Sequence, residues 1–307
     1  MKLVTFQNQS QLQIGILENN RITSLQEIQH DVQNDPLLQK EGDDYSFPLS
    51  PDEFYYAGLP AIEAVKKIYD LLKVNGARLQ TIEAHHSTLT TPIPNPRKII
   101  CVGRNYRAHA LEMKSDIPTI PVLFAKYSNS LIGPHQPIVK SPKTNKLDYE
   151  VELTVVIGKK ASKVKQQDAL SYVAGYTIGN DTSARDLQKR TPQWLQGKTL
   201  DNSTPIGPWI VTSDEIMNPT NLAIKSYVNG EERQSSNTKH FLFDIPYLIE
   251  FISDLITLEP GDLIMTGTPD GVGFGMEPQI FLQPGDVVRL EIEKIGWMEN
   301  KIIDGSD

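Results

Sequence analysis

The chain has 307 residues, 39% hydrophobic and 22% charged, with a formal net charge of -8, enough for one large domain or a small domain beside a larger one. It has no run near the roughly 18 consecutive apolar residues of a membrane span and no basic run offering nucleic acid a phosphate-neutralising surface. Its single cysteine, Cys101, excludes an intrachain disulfide and a thiolate-ligated zinc or iron–sulfur centre. The first ten residues lack an apolar signal region, and the expectation is a cytoplasmic protein.

Residues 1–25 read as short strands, with Leu12, Ile14 and Ile16 alternating and Asn19-Asn20 as a turn. Spacing of Ile62, Val65, Tyr69 and Leu72 predicts a helix over 61–74, closed by Gly76. Three prolines in Thr91-Pro92-Ile93-Pro94-Asn95-Pro96 make a stiff connector. A boundary is therefore expected there, with a small domain over 1–95 and a larger one over 96–307. The larger part reads as strands at 98–102, 122–126, 147–157, 173–180, 222–228, 262–265 and 287–293. One amphipathic helix interrupts them, with Asp244 as N-cap, Pro246 in its first turn, and Ile245, Leu248, Ile249, Ile252, Leu255 and Ile256 repeating.

Within Asp148-Tyr-Glu150-Val-Glu152-Leu, strand alternation turns Glu150 and Glu152 to one face and Val151, Leu153, Val155 and Ile157 to the other. Spacing alone is weak evidence, because Arg289-Leu-Glu291-Ile-Glu293 repeats it with an arginine on the same face, as on a solvated strand. The first pair differs in lying on a long apolar strand and in having a third carboxylate, Asp181, at the end of another. Carboxylates crowded in a partly buried site repel and rise in pKa; a cation removes that cost. Oxygen ligands without His or Cys favour a hard ion, Mg²⁺, Mn²⁺ or Ca²⁺.

In Arg104-Asn-Tyr106-Arg-Ala-His109-Ala-Leu-Glu112, helical spacing puts His109 and Glu112 one turn apart. A carboxylate in that place fixes the imidazole tautomer and raises its basicity, as a general base requires. His30, His85, His86, His135 and His240 read as structural or exposed. Lys126, Arg185 and Lys198 are candidate cations, and the loop Gly267-Thr268-Pro269-Asp270-Gly271-Val272-Gly273 is a candidate anion cradle through its N–H groups and the Thr268 hydroxyl. Gly271-Val-Gly273-Phe-Gly275 is not a dinucleotide fingerprint, since Met276-Glu-Pro-Gln starts no helix.

Taken together, these segments resemble the fumarylacetoacetate hydrolase family over residues 96–300. The resemblance rests on Gly103-Arg-Asn-Tyr106 through Glu112, Asp148-Tyr-Glu-Val-Glu152, Gly179-Asn-Asp181 with Ala184-Arg185-Asp186, Gly197-Lys198, Leu263 through Gly273, and Pro284-Gly-Asp286, all in the family's order. It implies an α+β, β-rich fold: a mixed β-sandwich roll, with a small N-terminal α/β domain, usually in a homodimer. It implies Glu150, Glu152 and Asp181 as metal ligands for Mg²⁺ or Mn²⁺, and His109 and Glu112 as a dyad on a lid helix. Lys198 joins the dyad as a catalytic candidate, and Arg104, Tyr106, Lys126, Arg185 and Thr268 line the substrate site. Two departures bear on the pocket: Tyr127, where relatives often carry a small residue or proline, and Asp270, where Ser or Gly is common.

The activity implied is metal-dependent cleavage of a carbon–carbon bond in a small anionic 2-oxo acid, such as an acylpyruvate, through an enolate that the ion stabilises. Oxaloacetate decarboxylation and isomerisation of a 2-hydroxymuconate-type acid use the same site and stay open. A reading from another class is an idle member that binds metal and metabolite as a sensor; the intact dyad and ligand positions speak against it.

Overall fold

Lys2–Asn8, Gln11–Glu18 and Arg21–Ser24, each with a run of consecutive buried residues, pair as an antiparallel meander. Its second turn is Asn19-Asn20, both with positive φ (49° and 61°), the twist that a two-residue hairpin loop needs. The computed structural model describes residues 1–34, 46–77, 79–85 and 88–305. The predicted helix spans Leu59–Val74, two residues earlier than expected because Pro60 fits its first turn. It ends where Gly76, at φ 74°, donates to the Lys73 carbonyl and Ala77 to that of Leu72, the paired bonds that satisfy a helix's last carbonyls.

The large sheet runs Ile82–Glu83, Arg21–Ser24, Gln11–Glu18, Lys2–Asn8, Thr204–Thr212, Val173–Asn180, Val151–Ile157, Leu263–Met265, Ile99–Gly103 and Val122–Lys126. The proline-rich segment therefore separates stretches of chain but not sheets: Leu3 pairs with Ile210, and the N-terminal meander extends the sheet that carries the site. A second sheet has five strands among the described residues: Glu231–Asn237, Ala223–Val228, Val287–Ile292, Gly296–Asp304 and Ile138–Lys140.

The two sheets face each other across one apolar core. Val151, Leu153, Val155 and Ile157 meet Ile224, Val288, Leu290 and Met298 there, with Ile249 and Ile252 of the helix Ile245–Leu255. The other side of Val151–Ile157 is buried too, because Val156 packs with Ala174, Leu263 and Val65 under the N-terminal helices. The chain is thus α+β and β-rich. A strand covered on both faces explains how two glutamates at its start can be almost fully buried.

Three local expectations change. The stretch 147–157 is not one strand: it breaks after Asp148 and resumes at Val151, leaving Glu150 in the gap. Leu255 and Ile256 are exposed, at 63% and 43%, because the helix ends as it leaves the core. Thr204–Thr212 is a central strand despite Pro205 and Pro208, residues that weaken a ladder and hid it from sequence reading.

Candidate metal centre and active site

The site lies where the strands Val151–Ile157 and Val173–Asn180 begin and end side by side. Asn180 accepts the Glu150 N–H at 3.0 Å through its side chain, and the Asp181 N–H donates to the Glu150 carbonyl at 3.0 Å. Glu150, Glu152 and Asp181 thereby offer carboxylate oxygens that all lie within 4.8 Å of one another. The three residues are 4%, 2% and 0% exposed, far from the solvated state of ordinary surface acids. Glu291 makes the useful contrast, since among the described residues its ion pair is with its strand neighbour Arg289 at the surface.

Buried charge has to be compensated. Lys198 reaches both Asp181 (2.6 Å) and Glu150 (2.9 Å). Lys126 donates to Asp181 at 2.8 Å, and Arg185 lies 2.6 Å from Glu150 and 2.8 Å from Asp148. Burial pushes the Glu150 carboxyl up, but Lys198 and Arg185 outweigh it and hold the group well below the usual carboxylate range. Glu152 differs. Its partner is the Gly267 N–H at 2.9 Å, and among the described residues it has no ion pair. Burial, with the charges of Asp181 and Glu150, pushes its carboxyl well above the usual range. The site is short of one positive charge at Glu152, and a hard divalent ion fits both this deficit and the all-oxygen donor set.

His109 and Glu112 lie on the short helix Arg107–Glu112. Its start is pinned by Asn105, a buried side chain that donates to the carbonyls of Thr266 and Phe243 and accepts the Phe243 N–H. His109 Nδ1 is 3.3 Å from Glu112 Oε2, so the expected pair is present. Lys198 is seated by Gly197, whose backbone approaches the helix Arg185–Gln188 so closely that a Cβ would lie 2.5 Å from the Gln188 nitrogen.

A cavity of about 400 Å³ joins these groups. His109, the three carboxylates, Lys198, Arg185, Arg104 and Thr268 line it. Tyr106 and Lys126 do not: Tyr106 is buried against Phe241, and Lys126 sits beneath Asp181. Arg185 reaches the cavity but is held by Asp148, Glu150 and Gln188. Tyr127 is exposed and, like Asp270, lies off the cavity wall. His30, His85, His135 and His240 also lie away from it, and His86 falls outside the described residues.

The glycine-rich loop Gly267–Gly273 sets the Thr268 hydroxyl on the cavity wall. Its amides face the chain's own carboxylates: Gly267 donates to Glu152, Gly271 to Glu112, and Gly273 and Phe274 to Asp148. Sequence reasoning missed the positioning side chains Asn105, Asp148, Asn180 and Gln234. Gln234 accepts the Val151 N–H and donates to Thr268. Asn105, Asp148 and Asn180 stand inside the quoted motifs beside the candidate residues, whereas Gln234 lies in the strand Glu231–Asn237, which no sequence signal marked.

The profile described as fumarylacetoacetate (FAA) hydrolase C-terminal matches residues 98–303. A Dictyostelium discoideum protein named fumarylacetoacetate hydrolase domain-containing protein 2 homolog is 47% identical over 240 residues, 75% of this chain and 78% of its own. The rat protein named oxaloacetate tautomerase Fahd2a, mitochondrial, is 42% identical over 261 residues, 85% of this chain and 82% of its own. Among solved structures, maleylpyruvate hydrolase from Sphingobium sp. SYK-6, in complex with manganese(II) and pyruvate, superposes with a TM-score of 0.76 at 29% identity, covering 100% of both chains. Frog, bovine and human oxaloacetate tautomerases are named mitochondrial as the rat protein is, which overturns the expected cytoplasmic location. Lack of a disulfide speaks only to redox state, not to compartment. Among the described residues no helix is long and apolar enough to cross a membrane. The chain belongs to the fumarylacetoacetate hydrolase family of enzymes.

Proposed function

We propose that this chain interconverts the enol and keto forms of oxaloacetate at a Mg²⁺ or Mn²⁺ centre. The observation that carries the reading is the buried convergence of Glu150, Glu152 and Asp181 on one cavity with His109. The choice of substrate draws support from relatives named oxaloacetate tautomerase, such as the rat protein at 42% identity. Glu150, Glu152 and Asp181 would hold the ion, which when bound supplies Lewis-acid polarisation of the substrate's 2-oxo group.

The chain's own residues account for the remainder. Tautomerisation moves one proton between C3 and the C2 oxygen and breaks no bond between heavy atoms. His109 is the wall residue suited to take and return it: Glu112 engages Nδ1 and leaves Nε2 for the substrate. Thr268 accepts from Gln234, so its hydroxyl proton is available to an anionic oxygen. Lys198 and Arg185 keep Glu150 ionised and oriented. The test follows the ultraviolet absorbance of enol oxaloacetate with Mn²⁺-loaded protein. Rapid ketonisation that collapses in His109→Ala is the expected result; a rate equal to that of free Mn²⁺ in buffer contradicts the reading.

A second reading is hydrolytic cleavage of an acylpyruvate-like acid, with oxaloacetate decarboxylation as a variant. The observation favouring hydrolysis is the His109–Glu112 pair, which is the arrangement that activates a water, alongside the likeness to maleylpyruvate hydrolase. Release of pyruvate from acetylpyruvate in the same assay supports hydrolysis; its absence leaves tautomerisation. The family resemblance also leads us to propose a homodimer, and a division of the chain at residues 95/96 into a small and a large domain.

A further inference from the structure

We propose that Lys189 receives the second carboxylate of a dicarboxylic 2-oxo acid, the group farther from the carboxylate triad, and so selects dicarboxylic over monocarboxylic substrates. The inference rests on the reading of this cavity as a 2-oxo acid site.

The cavity extends from the triad to the segment after the helix Arg185–Gln188, where Lys189, Thr191 and Pro192 line it. A second anionic group on the substrate needs a cation there. Most cations of the site are already engaged: Lys126, Lys198 and Arg185 each contact a buried carboxylate within 2.9 Å. Lys189 has no carboxylate partner among the described residues. Its ammonium instead lies 3.6 Å from the centroid of the Phe274 ring. A ring face holds an exposed ammonium by only about 0.5–1 kcal/mol, so an arriving carboxylate displaces it at little cost.

The surroundings favour an anion as well. Lys146 lies over the neighbouring Phe281 ring at 5.5 Å, and the two phenylalanine rings are 6.4 Å apart. Burial, with the charges of Arg185 and Lys146, lowers the Lys189 pKa. Such a rim attracts anions. The backbone of Lys189 is fixed, since its N–H closes the helix by donating to the Arg185 carbonyl at 3.1 Å. Arg185 in turn holds Glu150, so the distance from Lys189 to the triad is set by the fold. Arg104 also lines the cavity, with its guanidinium 5.3 Å from the Trp194 ring, and is the alternative cation.

The test compares two stable 2-oxo acids that differ at the far end, 2-oxoglutarate and 2-oxobutyrate. Calorimetry on Mn²⁺-loaded protein measures each with the wild type, Lys189→Met, Lys189→Arg and Arg104→Met. Loss of one charge-assisted hydrogen bond predicts that Lys189→Met weakens 2-oxoglutarate about tenfold. Binding of 2-oxobutyrate stays within about twofold, and Lys189→Arg restores the preference. In turnover, Lys189→Met raises the KM for oxaloacetate more than it lowers kcat. Equal weakening of both ligands, no weakening of 2-oxoglutarate, or loss of preference only in Arg104→Met overturns the proposal. Because the binding comparison needs no turnover, it still reads Lys189 if oxaloacetate is not a substrate.

Discussion

Glu112 is fixed from behind by Gly271: the Gly271 N–H donates to Oε1 at 2.9 Å, while Oε2 faces His109 at 3.3 Å. One hydrogen bond therefore ties the helix Arg107–Glu112 to the glycine-rich loop and aims the carboxylate at the imidazole. Gly271 has φ 99°, and a Cβ there would come within 2.0 Å of the Arg233 carbonyl, so only glycine fits. Replacing Glu112 with Gln keeps the shape but removes the charge that orients and stabilises the imidazolium. Glu112→Gln is expected to lower kcat by about 100-fold with Mn²⁺ affinity unchanged, read by steady-state kinetics beside calorimetric Mn²⁺ titration.

Lys198 serves two buried carboxylates at once. Lys198→Met leaves Glu150 and Asp181 short of a counter-charge, and removing one partner of a buried pair costs roughly 3–5 kcal/mol. Urea denaturation of metal-free protein should show that loss. Mn²⁺ should return more stability to the variant than to the wild type, because the ion supplies the missing charge. Equal gains in the two proteins would mean that the ion binds elsewhere.

Gly197→Ala tests how Lys198 is seated. The added methyl would lie 2.6 Å from the Ala184 carbonyl and 2.5 Å from the Gln188 nitrogen, so the helix Arg185–Gln188 and the short helix Leu195–Lys198 must separate. Overpacking of this kind costs about 1–3 kcal/mol. Thermal denaturation should report that loss, together with weaker Mn²⁺ binding as Lys198 and Glu150 shift.

Asp214 links the helix Leu59–Val74 to the end of the strand Thr204–Thr212 by pairing with Lys66 and accepting from the Thr212 hydroxyl. Partial burial pushes its carboxyl up, but Lys66 and Thr212 outweigh it and lower the pKa to about 2 from 3.8. A folded-state pKa below the unfolded one gives stability that is present above pH 3.8 and lost as pH falls toward 2. The pair is largely exposed, so the contribution is about 0.5–1 kcal/mol. Asp214→Asn should lower the Tm at neutral pH, and the difference should vanish near pH 2.

Side-chain alternation made much of this legible. The strands Val122–Lys126 and Val173–Asn180 stand at their predicted bounds, since each is a clean apolar run beside a turn. The triad was readable because Asp181 follows such a run and Glu150 and Glu152 precede another. What stayed hidden depends on contacts between distant segments. Asp148 takes Arg185 and two loop amides, and no periodicity in its own neighbourhood signals that. Lys126 and Tyr106 stand in motifs beside the site residues, and packing sets them behind the cavity wall, Lys126 on Asp181 and Tyr106 on Phe241. Loop amides beside a candidate site suggest a cradle for a ligand, but the buried Glu152 and Asp148 and the half-buried Glu112 take those donors first.

Under the proposed function, Glu150, Glu152 and Asp181 hold one catalytic ion. The most direct test is equilibrium Mn²⁺ binding by calorimetry to the wild type and Asp181→Asn, with enol-oxaloacetate ketonisation measured on the same samples. The expected result is one Mn²⁺ per wild-type chain, affinity at least about 100-fold weaker in Asp181→Asn, and ketonisation faster than in buffer only where the ion is bound. Equal Mn²⁺ affinity in the two proteins, or full ketonisation in metal-free wild type, would contradict it.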